Sequence, residues 1–380
     1  MSLLPIHPQP EKGEILSSWM VRLSISNHFQ LHTFYSKLLG YTHPIWNRDV
    51  DRNPSRELLK ILADGSGCPL KRINSMTLGH FDGLLYEDVR LNGVAKWILP
   101  IGVFHRLHRR RGMQCCPLCL QQGVPFFCLK WRISLFTLCE VHKCLLIDVC
   151  PECGANIEYH RLGIARGEFI PHTPLSKCAG CGFDLSNCPV IQPESLPEQV
   201  VTEYVKILRM ICSNQWNSSL QLPSMYPLSF FDGFKALLRL VNKHSATALR
   251  ERINAQFPVE LAVDSEAVEF GYLSILQRFK LVVACLWLLH DWPNRFVSIL
   301  QDSHLSRSRI AEAPEELPFW LLKALNDHLD FRIYVPSVEE VMSVKNYLVR
   351  DGQNVTLRAI AGLLGVGVEY IRPLVRSIQT

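Results

Sequence analysis

Four pairs of metal-binding side chains, each with two residues between its members, occur in order along the middle of this chain. They are Cys116 with Cys119, Cys139 with His142, Cys150 with Cys153, and Cys178 with Cys181. Two intervening residues let a tight turn present both side chains to one ion, and zinc takes four sulfur or nitrogen ligands in a tetrahedron. Eleven of the 14 cysteines lie between Cys115 and Cys188, whereas a disulfide scaffold would spread them. Met1 to Lys12 lacks the apolar core of a secretory signal, so the clustered pairs read as two zinc sites in a reducing compartment. Taken sequentially, the first pair joins the second and the third joins the fourth. An interleaved arrangement, first with third and second with fourth, is the competing assignment. Cys115 neighbours Cys116, but the spacing to Cys119 selects Cys116. Cys115, Cys128, Cys144 and Cys188 read as small buried hydrophobes.

Four protein ligands leave no open position on either ion, so both zincs read as structural. Glu140 and Glu152, inside their knuckles, then read as solvent-facing. The chain has no Gly-x4-Gly-Lys-Ser/Thr loop, no Gly-x-Ser-x-Gly and no His-Glu-x-x-His. A nucleobase deaminase needs His-x-Glu followed by Pro-Cys-x-x-Cys, and neither order is met. A non-enzymatic role is expected, with a metal-dependent nuclease or deaminase as the rival that pure-protein turnover would reveal.

The flanks read differently. Leu16, Trp19, Met20 and Leu23 recur at helical spacing, as do Leu31, Phe34, Tyr35 and Leu38 before Gly40. Asn53-Pro54 reads as the cap and first residue of a helix through Ala63. Gly65-Ser66-Gly67 should break it, and Pro69 to Ser75 should form another helix, with Lys71 and Arg72 exposed. Helix, glycine turn, helix is a helix-turn-helix pattern, shared by DNA readers and plain bundles. Cys128 to Phe136 has strand character. Beyond Pro193, helices are expected over Glu198 to Cys212, Phe230 to His244, Phe270 to Leu289 and Leu317 to Leu329, with a loop from Ser213 to Pro227. The apolar run Leu281 to Leu289 is too short for a membrane span and reads as a buried helix. Thr356 should cap a helix through Leu363, with Ile360 and Leu363 inward. A turn at Leu364 to Gly367 then leads to a second helix from Val368 to Ser377, kinked at Pro373. The fold expected is mainly α: a helical segment over 1–95 with a helix-turn-helix, a tandem zinc finger or ribbon module over 96–192, and a helical segment over 193–380 ending in a second helix-turn-helix.

The net charge of +5 alone does not point to nucleic acid. Its distribution is more telling. His105 to Arg111 is the densest basic run, and Arg106, Arg109, Arg110 and Arg111, with Lys71 and Arg72, are the candidates for phosphate contact, since planar guanidinium forks bind phosphate bidentately. Trp131 and Arg132 read as local structure, the tryptophan covering a small core and the arginine pairing with a local carboxylate or backbone carbonyl.

The order of these motifs is similar to that of a known family. Trp97-Ile-Leu-Pro100-Ile-Gly102 precedes the basic run, and Gly112-Met-Gln-Cys-Cys116-Pro-Leu-Cys119 follows it. Then come Pro125-Phe-Phe127, Trp131-Arg132, Cys139-Glu-Val-His142 and Cys150-Pro-Glu-Cys153-Gly154. Together with the opening Pro8-Gln-Pro10 and Glu14 to Leu23, this resembles the TniQ/TnsD family of transposon target-selection proteins over about residues 5–190. The resemblance implies an adaptor that marks a target site and recruits an AAA+ ATPase and transposase. It would act by binding target DNA or by riding as a dimer on a CRISPR RNA-guided effector complex, in the bacterial cytoplasm at the nucleoid. The alternative is a zinc-containing transcriptional regulator that binds its operator alone. The last 25 residues offer few base-reading side chains, so they are expected to make protein contacts, within the chain or across a homodimer.

Overall fold

The first helix, α1 (Leu16–Ser26), is enclosed on almost every side. Leu16, Trp19, Met20 and Leu23 are fully buried. The helix also buries serines, each with a partner. Ser17 donates its backbone N–H and its hydroxyl to Asp51 at 2.8 and 2.7 Å, Ser18 donates to Glu14 at 2.9 Å, and Ser24 donates to the Phe29 carbonyl at 2.8 Å. Buried hydroxyls are tolerable when so satisfied.

The computed structural model describes residues 3–89, 96–104, 107–162, 173–193, 196–217, 226–261, 268–303, 305, 317–329 and 334–378. A single short ribbon, β1 (Val103–Phe104) against β2 (Leu107–His108), is the only sheet among the described residues, and the fold is otherwise mainly helical. The chain divides into two units, Met1–Leu329 and Asp330–Thr380.

In the larger unit, α2 runs Arg56–Ser66. Its cap is Ser55, not Asn53 as expected, because the Ser55 hydroxyl accepts the otherwise unpaired Leu58 N–H at 3.1 Å. Gly65 and Ser66 stay helical. Gly67 ends the helix at φ +69°, where a side chain would be strained. The next helix, α3, spans Leu70–Asn74. Cys128 to Phe136 is not a strand. It holds a single 3₁₀ turn, Leu129–Arg132, that sends both Trp131 and Arg132 inward.

After the cysteine-rich segment come α4 (Glu198–Ser213), α5 (Pro227–Asn242), α6 (Thr247–Gln256), α7 (Ile275–Leu289), α8 (Asn294–Asp302) and α9 (Phe319–Leu329). Pro227 starts α5 earlier than the apolar spacing suggested, since proline is preorganised for the first helical position. Helix α7 starts later than expected because Ser274 and Gln277 form a reciprocal capping box. The expected loop of 213–227 is described up to 217. Residues 218–225 lie outside the described residues. Close packing of α5 on α9 depends on Gly233, where a Cβ would meet Trp320 at 2.1 Å. Residues Leu281 to Leu289 are almost wholly buried, and no described helix is long and apolar enough to cross a membrane.

The smaller unit contains α10 (Val338–Arg350), α11 (Leu357–Leu364) and α12 (Val368–Ile378). Its own core is Val341, Leu348, Ile360, Ala361 and Ile371. Thr356 caps α11 as expected, accepting the Ala359 N–H at 3.0 Å. Leu363 is not inward. It is 54% exposed, because Leu357, Ile360, Ala361 and Leu364 form the inward stripe and Leu363 falls off it. Helix α12 runs through Pro373.

Candidate metal centres

Three of the four ligand pairs share one backbone device. At Cys139, Cys150 and Cys178, the carbonyl of the first cysteine accepts the N–H four residues on, from Lys143, Gly154 and Gly182, at 2.8 to 2.9 Å. Each of those cysteines also donates its own N–H to the carbonyl five residues on, at Cys144, Ala155 and Phe183. The fourth residue after the cysteine has positive φ in all three: +55° at Lys143, +69° at Gly154 and +77° at Gly182. The first pair is built otherwise. Cys116 caps a single helical turn, Pro117–Leu120, that carries Cys119.

The structure brings the pairs together sequentially, as Cys116, Cys119, Cys139 and His142, and as Cys150, Cys153, Cys178 and Cys181. The interleaved arrangement is excluded. In the first group the Sγ atoms of Cys116 and Cys119 each lie 3.4 Å from His142 Nδ1, and Cys119 Sγ lies 3.7 Å from Cys139 Sγ. In the second, Cys150 to Cys181 is 3.6 Å and Cys153 to Cys178 is 3.7 Å. Tetrahedral zinc with Zn–S and Zn–N bonds of about 2.3 and 2.0 Å sets sulfurs roughly 3.8 Å apart and sulfur from nitrogen roughly 3.5 Å. Both groups therefore fit such an ion. His142 Nε2 lies 3.1 Å from Gln122 Nε2; with Nδ1 on a metal, Nε2 would carry the proton, and the Gln122 amide turned over would present its oxygen to accept it.

The remaining cysteines divide. Cys115, Cys144 and Cys188 are buried, and Cys128 is partly so. Cys144 Sγ lies 3.6 Å from Cys116 Sγ, directly behind the first group. Glu152 is exposed, but Glu140 is not solvent-facing: it is buried and paired with Lys130. Lys130 belongs to the inward 3₁₀ turn, so the charge it brings inside needs a carboxylate beside it.

Trp131 and Arg132 are structural, and the arginine's partners are distant in sequence. Arg132 is 2% exposed and forms ion pairs with Asp49 at 2.6 Å and Asp51 at 3.3 Å. Burial is the largest influence on Asp51, raising its pKa to about 6 against the opposing pull of Arg132. Arg278 does similar work from α7. It is fully buried and donates to the Ser134 carbonyl at 2.7 Å and to Gln114 Oε1 at 3.1 Å, and burial lowers its pKa to about 10. Glu14, also buried, accepts two bonds from Arg22 at 2.8 and 2.7 Å. No spacing rule reveals the partners of Arg132 and Arg278, because each joins segments far apart in the chain.

The basic run leaves the ribbon at β2. Arg109, Arg110 and Arg111 are all exposed. The Arg109 guanidinium sits 3.8 Å over the Phe104 ring, Arg110 sits 4.8 Å over Tyr272, and Arg111 lies 3.7 Å from Asp148. Stacking of this kind fixes a guanidinium while leaving its donor edge outward. Arg106 lies outside the described residues. Lys71 and Arg72 are exposed on α3, and Arg72 donates to the Pro10 carbonyl. These two sit on a different element from the run that follows β2.

Residues 5–146 match the TniQ family. The chain carries a TniQ domain. No curated protein matches the chain. The TniQ domain takes in α1 to α3, the basic run and the whole first metal group, and it ends just before the second group opens at Cys150. TniQ proteins are non-catalytic factors associated with transposition.

Proposed function

We propose that this protein is a transposon target-site selection adaptor, which binds DNA or an RNA-guided effector complex and recruits an AAA+ ATPase and a transposase. The observation that carries the reading is the TniQ match over residues 5–146. The metal groups support it by their chemistry. Four protein ligands surround each position, so zinc there holds the fold and leaves no open site for a substrate. Two structural zincs, a homodimer, and a cytoplasmic site of action at the nucleoid belong to this reading. So do Arg109, Arg110 and Arg111 as phosphate contacts, together with Arg106, Lys71 and Arg72, and a division near residues 95 and 192.

Changing Arg109, Arg110 and Arg111 together to Ala should weaken binding to duplex DNA or to a nucleoprotein complex. The log–log salt slope should fall by about one for each phosphate that the variant no longer neutralises. An unchanged slope in a folded variant would return the run to a solvated face. Recruitment is tested separately, by co-purifying the protein with an AAA+ transposition ATPase.

A second reading is a zinc-containing regulator that reads its operator alone. It draws on a groove of about 940 Å³ beside α2 and α3, lined by Arg52, Arg56, Lys60, Asn74 and His80. A sequence-specific footprint made by the pure protein would favour it over the adaptor.

A further inference from the structure

We propose that His108, Glu158 and His160 form a third metal site, which takes a divalent ion of the zinc class on three protein ligands and leaves a fourth position open. One donor atom from each residue lies within 4.8 Å of the others. Two imidazoles and a carboxylate are a donor set that zinc-class ions occupy with an open coordination position. The scaffold beneath them is already tied together. Glu158 accepts the backbone N–H of His108, and Asn156 Nδ2 donates to the His108 carbonyl at 2.8 Å. His160 lies in the turn Tyr159–Arg161, next to Glu158.

Two observations separate this group from an ordinary pair of packed histidines. His108 Nδ1 is buried and has no hydrogen-bond partner. Such a nitrogen is costly unless something accepts its lone pair or its proton. A cavity with about 20 Å³ of free space also touches both imidazoles, with Asp49, Asp51, Arg132 and Tyr159 around it. That is room for one ion or one water. Ring stacking accounts for burial of the rings: Trp46 lies 5.2 Å from His160 at 11°, and His160 lies 4.4 Å from His108 at 33°. It leaves Nδ1 unsatisfied.

The carboxylates of Asp49, Asp51 and Glu158 offset Arg132, Arg161 and the exposed Arg48 at the rim. An ion here would pin the end of β2, immediately before Arg109, to the turn at Tyr159.

The test adds Co²⁺ to purified full-length protein whose two cysteine sites already hold zinc. A further equivalent should bind, with visible d–d absorption and no thiolate-to-metal charge-transfer band. In His108→Gln/His160→Gln that equivalent should vanish while both zincs remain. No further equivalent in the unaltered protein, a charge-transfer band, or an equivalent that persists in the double variant would each overturn the proposal. If the double variant fails to fold, the stoichiometry and spectrum of the unaltered protein decide alone.

Discussion

Arg132 shows how a single residue can be read correctly in kind and still hide its partners. Its place at the end of the 3₁₀ turn, next to Trp131, fits the structural role expected of it. Nothing near it in the chain points to Asp49 and Asp51 as its carboxylates, because an ion pair across that many residues leaves no local pattern. The pairing has energetic consequences. Arg132 is 2% exposed, and Asp51 also accepts two bonds from Ser17. Removing one partner of a buried pair leaves the other charge without compensation, typically at about 3–5 kcal/mol. Arg132→Ala should lose stability of that order in chemical denaturation, and Arg132→Lys should recover only part of it, since an ammonium cannot span both carboxylates as a planar fork does. A loss under about 1 kcal/mol would mean that water reaches the pair and screens it.

At the scale of elements, the zinc knuckles were legible because their chemistry is local. Ligand spacing fixed the pairs, and glycine at 154 and 182 marked two of the three left-handed positions. The third, Lys143, was not legible, since lysine carries no preference for φ +55°. The hydrogen bonds around Cys139 impose the same turn there. Lys143 is exposed, so its side chain contributes little to offset the strain. Lys143→Gly should stabilise the protein by about 0.5–1 kcal/mol, because a left-handed backbone costs a non-glycine residue about that much or more. A destabilised variant would show that the lysine side chain holds the Cys139–His142 knuckle in place. The metal itself should matter far more. Cys181→Ser should lower bound zinc from two equivalents to one by elemental analysis and destabilise the central segment, as structural zinc contributes on the order of 10 kcal/mol to such modules. A well-folded variant that keeps both equivalents would rule out Cys181 as a ligand. Helices α6, α8 and α10 were missed from the sequence. Helix α6 has few apolar positions, but α8 and α10 did carry a signal: Phe296, Val297, Ile299 and Leu300 in one, and Val341, Val344 and Leu348 behind a Ser337/Glu340 capping box in the other.

At the scale of the whole molecule, the chain is organised by long-range polar staples as much as by its apolar core. Arg132 ties the cysteine-rich segment to the loop before α2, and Arg278 ties it to α7, so the larger unit is continuous from Met1 to Leu329. The smaller unit, from Asp330, has a core of its own. Its helices carry features of independent folding: a capping box at Ser337 and Glu340, a Thr356 cap, and a buried set that needs nothing outside the unit. Its outer surface is more apolar than solvation alone requires, with Met342, Tyr347, Val349 and Leu363 each more than 40% exposed. Ending the chain after Leu329 should therefore leave the larger unit folded, with both zinc equivalents and an unchanged midpoint in thermal unfolding. The same truncation should change the oligomeric state or the recruitment of a protein partner, because apolar side chains on an outer helical face usually dock on something. Intrinsic DNA affinity should persist, since α12 presents only Arg372 and Arg376 among apolar and acidic residues, a poor set for reading base edges. Light scattering and a salt-resolved binding curve on the truncated protein check both halves. An unchanged oligomer combined with an abolished DNA affinity would assign the terminal helices to nucleic acid.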